Sequence, residues 1–176
     1  MHFFLKNKKG SLMVELMVTA SLIMIGLIGI FSLLIHSTSM NKDVVHRFEA
    51  TYLATEGIEI MKNIIDTDVA IPGGVFFNST LASGQNYEVQ YDTNKENLRE
   101  IFGSSTIPLQ LDLAGATGLY TYNNIGIKTP YTRTIVVQGG GDTMTIKSEV
   151  AWEVDGERNV VNLEEIFQNW REWAEN

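Results

Sequence analysis

Apolar residues are spread very unevenly along this chain. Residues 11–35, SLMVELMVTASLIMIGLIGIFSLLI, are apolar almost without interruption, and Glu15 is their only charge. At 1.5 Å per residue such a run makes a helix about 37 Å long, enough to cross a hydrocarbon core. Past Ile35 the chain turns polar, yet residues 37–66 contain no proline and one glycine. Val44, Val45, Phe48, Tyr52, Leu53, Ile60, Met61 and Ile64 recur there at spacings of three and four, which predicts an amphipathic continuation of the same helix. A single helix over about 11–66, some 84 Å long, is the result. Pro72-Gly73-Gly74 closes it.

Beyond the helix the pattern changes period. Residues 67–130 are rich in Gly, Asn, Ser and Thr, with short strand candidates at 87–91, 107–113 and 118–122. The last third is clearer. Residues 131–138 carry the Thr, Ile and Val of a strand. Gly139-Gly140-Gly141-Asp142 reads as a turn, and 143–154 alternates with Ile146, Val150, Trp152 and Val154 on one face. Asp155-Gly156 is the residue pair of a type I′ hairpin turn. A two-residue loop there pairs Val154 with Glu157, Trp152 with Asn159 and Val150 with Val161. Val161 and Leu163 then share the face of Val150 and Trp152, which should pack on the helix stripe. Residues 164–173 are expected to form a short terminal helix, with Ile166, Phe167, Trp170 and Trp173 wholly or partly inward. The fold class is α+β: one long amino-terminal helix, its first half transmembrane, packed on a small antiparallel sheet.

Composition narrows the possible functions. With 176 residues the chain supports one modest core. Thirteen basic and 21 acidic residues give a net charge of −8. Lys6, Lys8 and Lys9 all lie in the first ten residues, so the rest carries 10 basic against 21 acidic, or −11. A body that acidic is not expected to bind nucleic acid by charge alone. The absence of cysteine excludes disulfides, thiolate metal sites and cysteine nucleophiles.

The basic cluster precedes the apolar run, so the positive-inside rule puts the amino terminus in the cytoplasm and everything after His36 outside. A cleaved secretory signal would have a shorter apolar region and a small-residue cleavage site. Here the run is too long and ends in Ile35-His36-Ser37-Thr38, so the helix is read as retained. Glu15 then needs an account. A carboxylate within an apolar span costs about 2.5–3.5 kcal/mol on insertion scales and usually has a partner or a function. At headgroup depth it could instead reach water.

Lys8-Lys9-Gly10-Ser11-Leu12-Met13-Val14-Glu15, followed by the apolar run, resembles the class III signal of type IV prepilins and pseudopilins. That resemblance implies that a membrane prepilin peptidase cuts between Gly10 and Ser11 and methylates the new amine. It also implies that the Glu15 carboxylate pairs with the terminal amine of a neighbouring subunit. Ser11 departs from the commoner phenylalanine at the first mature position. Gly26, Gly29 and Ser32 at three-residue spacing would let helices approach closely in a membrane. Ala54-Thr55-Glu56-Gly57-Ile58-Glu59 and the order of the carboxy-terminal strands resemble PilV-like minor pilins and I-type pseudopilins. Gly57 also reads simply as a contact where a strand crosses the helix.

The resemblance implies a leader at 1–10, an assembly helix at 11–35, its amphipathic continuation at 36–66 and an extracytoplasmic β-rich head at 67–176. The expected function is a structural subunit, minor pilin or pseudopilin, of a type IV pilus or related secretion or competence filament. Its partners would be other pilin subunits, the peptidase, an inner-membrane assembly platform and membrane lipid. No cofactor is expected. A major pilin, or an uncleaved single-pass sensor or binding domain, is the alternative. An anchored enzyme is disfavoured: His36 and His46 are ten residues apart on one helix, and no Walker, GxSxG or HExxH motif occurs. Asp142, Asp155 and Glu157 lie near turns where calcium sites occur, and Asn78-Ser79-Thr80 matches a glycosylation sequon.

Overall fold

The structure is a computed structural model that describes residues 8–71, 73–74, 76, 81–102, 106–113, 118–123 and 126–170. The described residues form one helix, α1 (Lys8–Ala70), and seven strands: β1 (Asn86–Glu88), β2 (Arg99–Ile101), β3 (Pro108–Leu111), β4 (Tyr120–Thr121), β5 (Ile127–Gly140), β6 (Thr143–Val154) and β7 (Glu157–Gln168). The α+β architecture with one long amino-terminal helix and an antiparallel sheet is the one expected from the sequence, in the arrangement of a pilin-like fold. The chain divides into two units, Met1–His46 and Arg47–Asn176, with the boundary inside α1.

In the second unit all strand pairings are antiparallel. β5 is the centre of the sheet. Thr132 pairs with Ala151 of β6 and with Pro108 of β3, so these strands flank β5 on opposite edges. β1 takes the β3 side further along, at Ile135 and Val136, and β2 extends that side. β7 continues the sheet beyond β6.

The two-residue turn Asp155-Gly156 has φ of 53° and 81°, the left-handed conformation that a type I′ turn requires at both positions. Register follows as expected: Val154 opposes Glu157, Trp152 opposes Asn159 and Val150 opposes Val161. β5 is longer than the predicted 131–138, and its turn is confined to Gly141-Asp142, since Gly140 still pairs with Thr143.

The core forms where α1 meets the sheet. One cluster joins Ile58, Met61, Ile65 and Val69 of α1 to Ile135, Val137, Met144 and Ile146. A second joins Ala50, Leu53 and Ala54 to Leu109, Tyr131, Val150 and Trp152, with Val161 and Leu163 packed against it. The hairpin face therefore does pack on the helix, but on a stripe that differs from the predicted one. Leu53, Met61 and Ile64 are buried as expected, whereas Val44, Val45, Phe48 and Tyr52 are exposed. Small residues, Ala50, Ala54 and Gly57, take the packed positions because the sheet comes close to the helix backbone there.

The expected terminal helix over 164–173 is corrected over its first half. Glu164–Gln168 belong to β7, paired with Thr143–Lys147. β6 offers twelve residues of open edge, and ladder hydrogen bonds along its full length outweigh the weak helix preference of Glu164 and Glu165. Asn169 N–H donates to Asp142 C=O at 2.9 Å and closes the strand. Trp173 and the sequon at 78–80 lie outside the described residues, as does Pro72.

Candidate functional site

The residues singled out at the amino-terminal end lie in the first unit. α1 starts at Lys8, so Gly10 and Ser11 are helical. Lys6 lies outside the described residues, and for Lys8, Lys9 and Ser11 the backbone alone is described. Gly10 is exposed, and a Cβ there would meet nothing within 4 Å. Glu15, five residues on, stands about 7.5 Å further along the axis and is exposed.

The apolar run forms an uninterrupted helix because it lacks proline and is dominated by Leu, Ile and Met. Two of its hydroxyl groups are satisfied within the helix: Thr19 Oγ1 donates to Glu15 C=O at 2.7 Å and Ser21 Oγ to Met17 C=O at 2.8 Å. That leaves the Glu15 carboxylate as the one strongly polar side chain. No side chain from Leu12 to Ile35 is buried, and large ones such as Met13 and Met17 are 73% exposed. A helix that is apolar on every side belongs in lipid or inside a larger assembly. By length and composition this one is a candidate single membrane span. Gly26 and Gly29 have open space where a Cβ would stand.

The second unit holds a polar cluster that sequence reading missed. Arg133, on β5, is fully buried. Its guanidinium donates to Glu56 Oε2 at 2.8 Å, to Leu53 C=O at 2.9 Å and to Val89 C=O. Glu56 and Gly57 adjoin on α1, and a Cβ on Gly57 would lie 2.8 Å from both Ile135 Cδ1 and Ser148 Oγ. Gly57 is thus a close-crossing position, as one reading of the sequence had it, and Glu56 supplies the counter-charge beside it. A signal for this was present: Arg133 falls in the inward register of β5 with Tyr131, Ile135 and Val137.

Two turns before Glu56 on α1, Glu49 accepts a hydrogen bond from the Tyr131 hydroxyl. Burial and this carboxylate push the Tyr131 hydroxyl well above the usual tyrosine range. Burial pushes Tyr122 up to about 12, against the lowering pull of Arg133. The Tyr122 hydroxyl donates to Arg133 C=O at 3.1 Å. Beside this cluster a groove of about 700 Å³ runs between α1 and the segment entering β4, with Phe48, Tyr52 and Tyr120 among its walls and Glu49, Glu56 and Glu59 along it. Phe48 and Tyr52 stand with ring centroids 6.0 Å apart and are both exposed.

The turn carboxylates do not converge. Asp142 and Asp155 cap opposite ends of β6, some 44 Å apart at 3.4 Å per residue. Among the described residues no group of three His, Asp or Glu side chains is placed to hold a metal ion. Compared with known proteins, the chain matches no family model, no curated protein and no solved structure.

Proposed function

We propose that this chain is a structural subunit of a filament, a minor pilin or pseudopilin of a type IV pilus or related secretion or competence system. The observation that carries the reading is Glu15: a lone carboxylate five residues past Gly10, on a helix whose apolar surface is open on all sides from Leu12 to Ile35. Basic residues Lys6, Lys8 and Lys9 hold the leader in the cytoplasm. A prepilin peptidase cuts between Gly10 and Ser11 and frees an amine at Ser11. Before assembly the apolar surface is covered by lipid. In the filament the same surface is covered by the helices of other subunits.

In this scheme Glu15 works through charge pairing. Its carboxylate is costly in an apolar surrounding unless an opposite charge lies beside it. The amine of a neighbouring Ser11 is such a charge, and the pair fixes the axial offset between two helices. The open notches at Gly26 and Gly29 support close helix approach. The head remains outside the membrane, and the inner-membrane platform draws subunits into the filament.

Intact-mass analysis of the chain from native membranes, with amino-terminal sequencing, tests the reading. A mature chain that begins at Ser11, with or without an added methyl group, is expected. A chain still beginning at Met1 in cells with active prepilin peptidase overturns it in favour of an uncleaved anchored domain.

A further inference from the structure

The groove beside Phe48 and Tyr52 has walls of one character and a rim of one charge. Phe48, Tyr52, Leu119 and Tyr120 give it an apolar lining, and both aromatic residues of α1 are exposed, Tyr52 at 73%. Glu49, Glu56 and Glu59 line it, and among the described residues no basic side chain does. Arg133 neutralises Glu56, which leaves Glu49 and Glu59 as net charge. Glu59 is exposed and makes no ion pair among the described residues. Tyr120 feels this field, since burial and then the Glu49 and Glu56 charges raise its hydroxyl. Aromatic faces ringed by carboxylates suit a guanidinium or ammonium group flanked by apolar side chains.

The chain itself carries such a segment. Most head cations are already paired: Lys95 with Asp68, Arg99 with Glu88, Lys147 and Arg158 with Glu149. Lys42, Arg47, Lys62 and Lys128 carry no ion pair among the described residues. Only one of them heads a one-face apolar stripe. Met40, Val44 and Arg47 follow one another at i, i+4 and i+7 on α1, so they share a face, and all three are exposed. Lys62 has acidic residues on both sides at helical spacing, Glu59 and Asp66, where Arg47 has Asp43 on one side only, and Ile127, next to Lys128 in a strand, points to the other face.

We propose that the Glu49–Glu59 groove of one copy takes the Met40–Val44–Arg47 stripe of a second copy, with Arg47 between the carboxylates and Val44 against the aromatic wall. Each copy carries both the stripe and the groove, so a head-to-tail contact of this kind can repeat from copy to copy. It rests on the filament reading, for which it supplies a contact outside the membrane span and opposite charges where an acidic head would otherwise repel its neighbours.

Cysteine crosslinking of full-length protein in native membranes tests it, because the chain has no cysteine of its own. Two tagged copies are co-expressed, one with Val44→Cys and the other with Leu119→Cys, and mildly oxidised. A mixed disulfide is expected in excess of either self-linked species, since a disulfide forms only where Cβ atoms come within about 4.5 Å. Adding Arg47→Glu to the first copy should cut its yield about fivefold, and Arg47→Lys should retain most of it. Tyr52→Cys in place of Leu119→Cys, at an exposed helix position, guards against a misfolded groove. No mixed disulfide at either position, or one that Arg47→Glu leaves unchanged, overturns the proposal. Processing to Ser11 without the disulfide sinks this contact and leaves the filament reading standing. The disulfide with an unprocessed Met1 sinks the filament reading and leaves a contact between copies.

Discussion

Glu56 on the helix reaches the buried guanidinium of Arg133 on the central strand at 2.8 Å. The pair helps fix how α1 and β5 meet, together with the Tyr131–Glu49 hydrogen bond two turns earlier, in an otherwise apolar crossing. Removing the carboxylate leaves a buried charge with backbone carbonyls as its only acceptors. Glu56→Ala should lower the free energy of unfolding by about 3 kcal/mol, the low end for a broken buried pair, because the Glu56 side chain keeps 28% exposure. Glu56→Gln should cost less, since an acceptor oxygen remains. Urea unfolding of the detergent-solubilised chain, followed by tryptophan fluorescence, measures both. Equal stability of Glu56→Ala and the unaltered chain would mean that the Leu53 and Val89 carbonyls alone hold the guanidinium.

Gly57, the next residue, packs directly against β5 and β6. A methyl group there would press on Ile135 Cδ1 and Ser148 Oγ at 2.8 Å and on Arg133 Cδ at 3.1 Å. Overpacking costs about 1–3 kcal/mol, and the helix preference of alanine over glycine returns about 1. Gly57→Ala should therefore be net destabilising by about 1 kcal/mol. Ser148 Oγ is buried with no hydrogen-bond partner, so Ser148→Ala alone should be neutral or stabilising and should relieve Gly57→Ala in the double variant. Thermal unfolding of the three variants decides this. A double variant no better than Gly57→Ala would locate the clash elsewhere.

These two positions also show where the sequence was legible. The β6–β7 hairpin could be read to the residue because Asp155-Gly156 dictates a two-residue turn and a period-2 pattern then fixes every facing pair. The helix was readable from the lack of breakers across 11–66, and it runs four residues further, to Ala70. The stripe it buries was not readable from large apolar residues. Phe48 and Tyr52 have the right spacing and face outward, while Ala50, Ala54 and Gly57 face the sheet because closeness there demands small side chains. β7 was mistaken past Leu163 because local propensity at Glu164 and Glu165 carries no trace of the open edge of β6 that recruits them. β2 is three residues long and too short for any periodicity. Arg133 was open to reading only through the alternation of Tyr131, Arg133, Ile135 and Val137, which puts its charge on the inward face of β5.

Alkaline pH gives an independent check on the sheet–helix crossing. Tyr122 is held up to about 12 in the folded protein, against an ordinary value of about 10. Between these values the unfolded chain loses the proton and the folded chain keeps it, so the unfolded state is favoured as pH rises. The stability owed to neutral Tyr122 is complete below pH 10 and is lost between about 10 and 12. The raised Tyr131 hydroxyl adds in the same direction. Stability should fall by roughly 1 kcal/mol per pH unit for each tyrosine in that window. Tyr122→Phe should be less stable at neutral pH, for want of the bond to Arg133 C=O, and shallower in its alkaline decline. Urea midpoints at pH 9, 10 and 11 measure both slopes, and parallel slopes for the two proteins would refute the assignment.

Glu15 carries the functional reading, and its substitution separates insertion from assembly. In lipid a lone carboxylate costs about 2.5–3.5 kcal/mol, so Glu15→Ala or Glu15→Leu should insert at least as well as the unaltered chain. On the proposed filament reading, each variant loses the partner for a neighbouring Ser11 amine. That amine is then left unpaired in an apolar bundle, a loss that disfavours every subunit addition and not the helix itself. Incorporation into sheared filaments should therefore fall at least about tenfold, with membrane content and head stability unchanged. Glu15→Asp keeps the charge on a shorter arm and should recover part of the incorporation. Quantitative immunoblots of membrane and filament fractions give both numbers. Normal incorporation of the alanine and leucine variants would remove the pairing role and leave Glu15 as a headgroup-depth charge. Parallel loss from membranes and filaments would make it a residue of insertion instead.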